Sequence, residues 1–410
     1  MFLKQILGSE NGWTGGQYSL VRFVFGTYLA FHFAQLAPYA AEVFSSAGVL
    51  PSSASPLFNL FPGVFWISDA PGFVIAVLIV ATLLSLCFAA GLRDRCVAVI
   101  LWWIWASLFV RNPLISNPGL PYVGWMLLAH AFLPQRPHGS WGWRFPQPLH
   151  LAAWFVLAAG YSYSGYTKLV SQSWIDGTAF TWVLESPLAR GGSAGELLLS
   201  LPQPIHTLLT WGALGLEILF LPFALIARLR PLLWGCLLSM HFGLIALIDF
   251  ADLSLGMVMI HLFTFDPAWV PGLRRGTVET LFYDGNCGLC HRAVRLVLSE
   301  DPRGEAFRFA PLHGESFNSQ ISEEQRASLP DSLVVRTSDG TLLTRSDAVL
   351  HLMKRLGGIW RLLAILGNAI PRGLRDRIYD GIAAVRQRLF AKPRDACPVV
   401  PKTLRVRFDA

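Results

Sequence analysis

The residues with the most specific chemistry are Cys287-Gly-Leu-Cys290. Two cysteines three positions apart in the first turn of a helix lie within bonding reach, so a disulfide opens and closes with little backbone movement. A helix N-terminus adds partial positive charge and free amide donors, which favour the thiolate of the first cysteine. Cys287 is therefore expected to attack and Cys290, a turn further in, to resolve the mixed disulfide. Asp284 is expected to cap the helix, with proton handling as its alternative role. His291 is either a proton partner or, as side chains at that place more often are, turned to solvent. A structural zinc site would need two more ligands; the other cysteine of this region, Cys397, brings neither a second CxxC nor paired histidines, so no metal is expected. Cys287-Gly-Leu-Cys290-His291 also spells the c-type haem attachment motif. A preceding buried strand, the surrounding α/β pattern and a cytoplasmic placement argue against haem.

The elements that must hold this dithiol can be read from the pattern around it. Glu279–Tyr283 reads as a buried strand, Asp284-Gly-Asn as a turn, and Cys287–Ser299 as an amphipathic helix. Ala306–Ala310 is a second strand. Ser332–Thr337 and Thr341–Thr344 form a hairpin, in which Asp339-Gly340 favours a two-residue turn. Helices follow from Ser346 to Leu356, near Ile359–Leu366 and over Gly373–Phe390. Strand, CxxC helix, strand, hairpin and helix is the thioredoxin-like order, and Pro330 stands where such proteins place a cis-proline.

The preceding 272 residues belong to a different solvent. The chain of 410 residues is 53% hydrophobic and 14% charged, far below the quarter that soluble domains carry. Residues 1–272 hold 11 Lys+Arg and 11 Asp+Glu; residues 273–410 hold 22 and 15, so the net charge of +7 lies in the second part. We read a helical polytopic membrane bundle over 1–272 and a small α/β thioredoxin-like domain over 273–410. Apolar stretches at Leu20–Tyr39, Gly72–Leu92, Val97–Val110, Tyr122–Leu133, His150–Tyr166, Ile205–Ala227, Pro231–Ile248 and Leu253–Phe265 suggest about eight spans. With the N-terminus inside, nine Lys and Arg, counting Arg274 and Arg275 just after the bundle, fall on the cytoplasmic side against Arg111, Lys168 and Arg190 outside. The expectation is an integral protein of a bacterial-type inner membrane with both termini cytoplasmic. The basic residues of the tail are dispersed, so no nucleic acid partner is expected.

Ionisable groups in hydrocarbon mark function or helix-to-helix bonding. Glu217 and His241 fall within spans and are candidates for a bundle pocket. His32 and His130 fit simple interhelical bonding better. Lys168, in Tyr161-Ser-Tyr-Ser-Gly-Tyr-Thr-Lys168-Leu, is either a snorkelling anchor or a buried amine acting as a base. Cys87, Cys96 and Cys236 are packing residues.

Two resemblances extend this reading. Phe282-Tyr-Asp284-Gly-Asn-Cys287-Gly-Leu-Cys290, Phe309-Ala-Pro-Leu312, Thr344-Arg-Ser346-Asp347, Arg355-Leu-Gly-Gly-Ile-Trp360, Ile370-Pro371 and Ile378-Tyr379-Asp380 resemble the DCC family of thiol-disulfide oxidoreductases over about residues 279–400. That likeness implies redox roles for Cys287 and Cys290, a supporting one for Asp284, and a late cysteine that Cys397 fits. The Lys168 segment with Trp174-Ile-Asp-Gly177, Leu216-Glu217 and Met240-His241-Phe242 resembles the horizontally transferred transmembrane (HTTM) family, relatives of the vitamin K-dependent carboxylase membrane domain. It implies a quinone-like or lipid ligand near Lys168, Glu217 and His241. Asn117-Pro118 stands where that resemblance would put Asn-His, and the carboxylase's large extracellular domain is missing, so carboxylation is not expected.

The combined expectation is a membrane-anchored thiol-disulfide oxidoreductase acting on thiol or disulfide groups of a protein or small molecule, with membrane lipid as its surroundings. The rival readings are a non-catalytic lipid- or quinone-binding module with a redox-sensing domain, and a haem-bearing electron carrier.

Overall fold

The structure is a computed structural model that describes residues 10–135, 140–273, 276–389 and 402–409. Cys397, which fits the late cysteine of the DCC resemblance, lies outside the described residues. Internal contacts divide the chain into two units. One comprises Met1–Asn11, Leu20–Gln135 and Pro146–Phe265; the other comprises Gly12–Ser19, Arg136–Phe145 and Asp266–Ala410.

The first unit is helical. Its principal helices are α1 (Gly15–Leu36, whose first turn belongs to the second unit), α2 (Pro71–Ala90), α3 (Asp94–Arg111), α4 (Leu120–Ala131), α5 (Gln147–Lys168), α6 (Gln203–Ile218), α7 (Arg230–Leu247) and α8 (Ala251–Thr264). Every apolar stretch read from the sequence lies on a helix, but the expectation of about eight spans is corrected to three. Among the described residues, only Gly15–Phe44, Pro71–Ala90 and Ala227–Leu247 are long and apolar enough to cross a membrane. Four of the other five stretches fail for separable reasons. The helices α4 and α8 have 12 and 14 residues, against about 20 for a bilayer core. The helix α3 begins on Asp94-Arg95 and ends on Arg111. The sixth stretch, Ile205–Ala227, breaks at Leu219 into α6 and a short helix, Phe220–Ala224.

Polar groups inside this unit occur in pairs, as an apolar surrounding demands. Arg22 and His130 meet Asp94 at 3.1 and 3.4 Å. His32 meets Asp252 at 2.7 Å, and Asn117 donates to the same carboxylate at 3.2 Å. Both histidines thus do the interhelical bonding expected of them.

The second unit contains a four-stranded mixed sheet of order β2-β1-β3-β4, with β1 (Glu279–Tyr283), β2 (Phe307–Pro311), β3 (Val334–Arg336) and β4 (Leu342–Thr344). The pair β1 and β2 is parallel, joined through helix α9 (Gly288–Glu300), and β3 runs antiparallel to β1 and β4. Then come α10 (Glu315–Gln320), α11 (Glu323–Ser328), α12 (Arg345–Leu356), α13 (Gly358–Asn368) and α14 (Arg372–Leu389). Alternation along β1 sends Leu281 and Tyr283 to one face and Phe282 to the other. The first pair packs with Val294, Val297, Phe307 and Leu352; Phe282 packs with Phe317, Ile321 and Val334.

Two local expectations change. The hairpin loop is longer than two residues: the Thr337 amide donates to the Thr341 carbonyl at 3.0 Å, closing Ser338-Asp339-Gly340. Gly340 sits at φ +87°, which a side chain would strain. Every described peptide bond is trans, so Pro330 is not a cis-proline.

Most of the sequence motifs around the dithiol prove to be struts. Arg355 donates to the carbonyls of Leu273 (2.7 Å), Thr277 and Ala306 (3.2 Å). Ser346 donates its hydroxyl to Asp376, while Asp347 pairs with Arg372 (3.0 Å) and Arg375 (2.7 Å), tying α12 to α14. Glu300, the last residue of α9, receives Thr14 Oγ1, the Gly16 amide (2.8 Å) and Trp360 Nε1 (2.6 Å). Burial lifts its carboxyl above the usual range despite these donors. Glu300→Ala strands several buried donors and should cost about 2 kcal/mol or more, seen as a lower thermal midpoint of the purified chain. Because the folded state holds this proton more tightly, the carboxyl's contribution is complete below its unfolded value and is lost as pH rises through the folded one. Glu300→Gln should therefore flatten the pH dependence of that midpoint in the weakly acidic range.

Candidate active site

The dithiol sits where β1 hands over to α9. Parallel β1 and β2 end at the same edge of the sheet, and antiparallel β3 begins there. The loops after β1, after β2 and before β3 therefore gather around one site, the usual location of ligands in open α/β sheets.

Cys287 is itself the N-cap of α9. Its backbone is extended (φ −106°, ψ 116°), and its sulfur accepts the Cys290 amide at 3.3 Å. This corrects the role expected of Asp284. The Asp284 carboxylate accepts the Asn286 amide at 2.8 Å, shaping the turn, and leaves the cap to the thiol. The sulfur thus occupies the place normally held by a side-chain oxygen, where an unpaired helix amide and the helix dipole both favour negative charge. Cys287 is 2% exposed, while Cys290 is partly accessible. Both are free thiols.

The two sulfurs are electrostatically linked. Burial, then the hydrogen bond to the Cys287 sulfur, then that sulfur's charge push the Cys290 thiol up to about 12. Arg386 pulls it down and Asp284 pushes it up further. Cys290 therefore keeps its proton at neutral pH, as expected of a resolving thiol.

His291 does not face solvent. It is buried, with Nε2 at 2.9 Å from the Gly285 carbonyl, and braces the turn before Cys287. Among the described residues no three His, Cys, Asp or Glu side chains converge as metal ligands.

The sequence reading missed Arg386, Asp331 and Tyr379 as parts of this site. Tyr379 Oη accepts the Leu333 amide at 3.1 Å, fixing α14 against the start of β3. Seven residues on, and so on the same helix face, Arg386 is buried with Nη2 at 2.6 Å from Asp331 and 3.8 Å from Asp284. That seven-residue spacing was the available signal. Asp331 also borders a cleft of about 610 Å³ lined by Leu312, Phe317, Arg326, Leu329 and Ser332.

The residues read as a bundle pocket fall in two clusters. In one, Lys168 forms an ion pair with Glu217, contacts Ser164 Oγ at 3.3 Å and lies 4.8 Å over the Trp174 ring. Gly165 permits the close approach of α5 and α6, since a Cβ there would stand 2.7 Å from the Ile218 nitrogen. In the other, His241 lies 2.7 Å from Tyr161 Oη, which is 3.4 Å from His261. Lys168→Ala leaves the buried Glu217 carboxylate unpaired. The thermal midpoint should fall by on the order of 5 °C, and the double change Lys168→Met with Glu217→Leu should recover most of the loss.

Comparison with known proteins places the dithiol region in context. Residues 281–392 match the family model described as DCC1-like thiol-disulfide oxidoreductase. The uncharacterized protein YuxK of Bacillus subtilis is 33% identical over 134 residues, covering 32% of this chain and 93% of that one. A chloroplastic DCC family protein of Arabidopsis thaliana is 30% identical over 117 residues, 28% of this chain and 67% of that one. No solved structure matches the chain.

Proposed function

Because the chain belongs to the DCC1-like thiol-disulfide oxidoreductase family, we propose that it is a membrane-anchored enzyme exchanging disulfides through Cys287 and Cys290. The observation that carries this reading is the Cys287 sulfur at the helix cap, bonded by the Cys290 amide, beside a thiol that retains its proton. The Cys287 thiolate attacks one sulfur of a substrate disulfide, forming a mixed disulfide and releasing the other sulfur as thiolate. Cys290 then loses its proton and attacks Cys287, closing the internal disulfide and releasing the second substrate thiol. The substrate gains two electrons and two protons, and the dithiol loses them. The cleft bordered by Leu312, Leu329 and Asp331 offers room for groups flanking the substrate sulfur. Incubating the purified chain with a protein or small-molecule disulfide tests the reading: one new thiol pair should appear per internal disulfide formed, and no exchange above the uncatalysed rate contradicts it.

The helices long enough to cross a membrane support anchoring in a bilayer. Three crossings would put the termini on opposite sides of the bilayer, whereas the Lys and Arg bias counted over eight stretches favours both termini in the cytoplasm, which requires an even number of crossings. Labelling Cys287 with an impermeant thiol reagent from each side of sealed vesicles decides it.

The HTTM resemblance and the Lys168–Glu217 pair support an extension in which the bundle binds a quinone. Oxidation of the dithiol supplies the two electrons and two protons that reduce one quinone to quinol. Purified protein given a dithiol donor should then bleach quinone absorbance, and an unchanged spectrum removes the extension. The burial of Cys287 favours a second reading, a redox-sensing domain on a lipid-binding bundle. Stoichiometric oxidation without turnover would select it.

A further inference from the structure

We propose that Arg386 supplies the buried positive charge that keeps Cys287 reactive, and that Asp331 tunes it by sharing that charge. This deepens the reading of Cys287 as the attacking sulfur and rests on it. A thiol removed from water ordinarily holds its proton more tightly and becomes inert. Cys287 is removed from water, and a cation enclosed with it offsets that penalty.

Arg386 is 4% exposed, so its own charge has been desolvated, which requires compensation. Its bonded partner, Asp331, is 79% exposed and solvated, and Asp284, at 3.8 Å, accepts no hydrogen bond from it. The Arg386 Nε is buried and has no hydrogen-bond partner among the described residues. The guanidinium therefore keeps an unbonded donor beside Asp284, in the turn that leads into Cys287, and its charge interacts with those of both thiols. The side chain is aimed there by the helix: Tyr379, two turns earlier on the same face, is pinned to the Leu333 amide. Among the described residues, the other titratable groups around the dithiol are Asp284 after β1, His291 on α9, Tyr379 on α14 and Asp331 before β3. Of these, the carboxylates oppose thiolate formation, and His291 is engaged with the Gly285 carbonyl. Arg386 is the fixed cation of the set. It acts on the sulfur by charge, so it is a positioning residue for the exchange.

The test is iodoacetamide alkylation of Cys287 in the detergent-purified full chain, read by peptide mass spectrometry from acidic to alkaline pH. Arg386→Gln should raise the pH of half-maximal rate by about one unit, a roughly tenfold slower reaction at neutral pH. Arg386→Lys should retain most of the wild-type profile. Asp331→Asn, an exposed change that leaves the fold intact, should shift the profile to lower pH by about half a unit. Coincident wild-type and Arg386→Gln profiles overturn the proposal. If Arg386→Gln fails to fold, Asp331→Asn decides alone: an unmoved or upward-shifted profile overturns it. Alkylation needs no turnover, so these outcomes are independent of whether the wild-type chain exchanges disulfides. Normal shifts without exchange would end the enzymatic reading only.

Discussion

Cys287→Ser abolishes disulfide exchange, with a loss of at least about 10³-fold, while the fold is retained. The reason is chemical: an oxygen at the helix cap still accepts the Cys290 amide, so α9 keeps its start, but a hydroxyl cannot attack a disulfide sulfur at neutral pH. The variant thus separates capping, which the Cys287 sulfur provides, from the nucleophilicity proposed for it. Stopped-flow or thiol-release assays on a small aromatic disulfide would read the loss directly. Residual exchange near the wild-type rate would mean that Cys290 or another thiol attacks.

Cys290→Ser has the complementary outcome: the first attack survives and the covalent intermediate accumulates to about one equivalent per chain. In the proposed reaction the wild-type chain releases that intermediate by losing the Cys290 proton. Burial, the hydrogen bond to Cys287 and the charge on Cys287 push this thiol up to about 12. Two of those three causes depend on the Cys287 sulfur being free and charged. Once it is tied up in the mixed disulfide they weaken, and Cys290 becomes easier to deprotonate when it is needed. Because a raised thiol is released only as pH increases, the resolving step should accelerate from neutral to alkaline pH in the wild type. Mass spectrometry of the quenched reaction should show a stable adduct on Cys287 in Cys290→Ser across that range. An adduct that decays as fast as in the wild type contradicts the assignment.

The dithiol and the elements around it were legible because each carried a strong local signal. Tyr283 and Phe282 alternate across a buried strand, and Val294, Val297 and Leu298 mark the apolar face of α9. Asp284 was misread because spacing alone makes it as good a cap as Cys287; the turn that engages it with the Asn286 amide is a matter of backbone geometry. Arg386 was invisible for a different reason. The helix α14 leaves Leu374, Ile378 and Ile382 exposed, so its apolar stripe does not mark its inward face, and the buried arginine comes from the side that pattern reading assigns to solvent. In the helical unit, apolar composition identified where helices form but overstated how many are long enough to cross a bilayer. Lys168, Glu217 and His241 were picked out as ionisable groups in apolar helices, yet no sequence rule joined Lys168 to Glu217 or set His241 beside Tyr161.

The central claim is that Cys287 and Cys290 form one reversible two-electron couple. Equilibrating the purified chain in glutathione redox buffers, trapping free thiols with acid and alkylation, and mapping the peptides measures that couple without any assumption about substrate. The account predicts that both thiols disappear together along a single two-electron curve, and that the oxidised peptide joins Cys287 to Cys290. Two thiols that stay free throughout, or that oxidise separately to different partners, would contradict it.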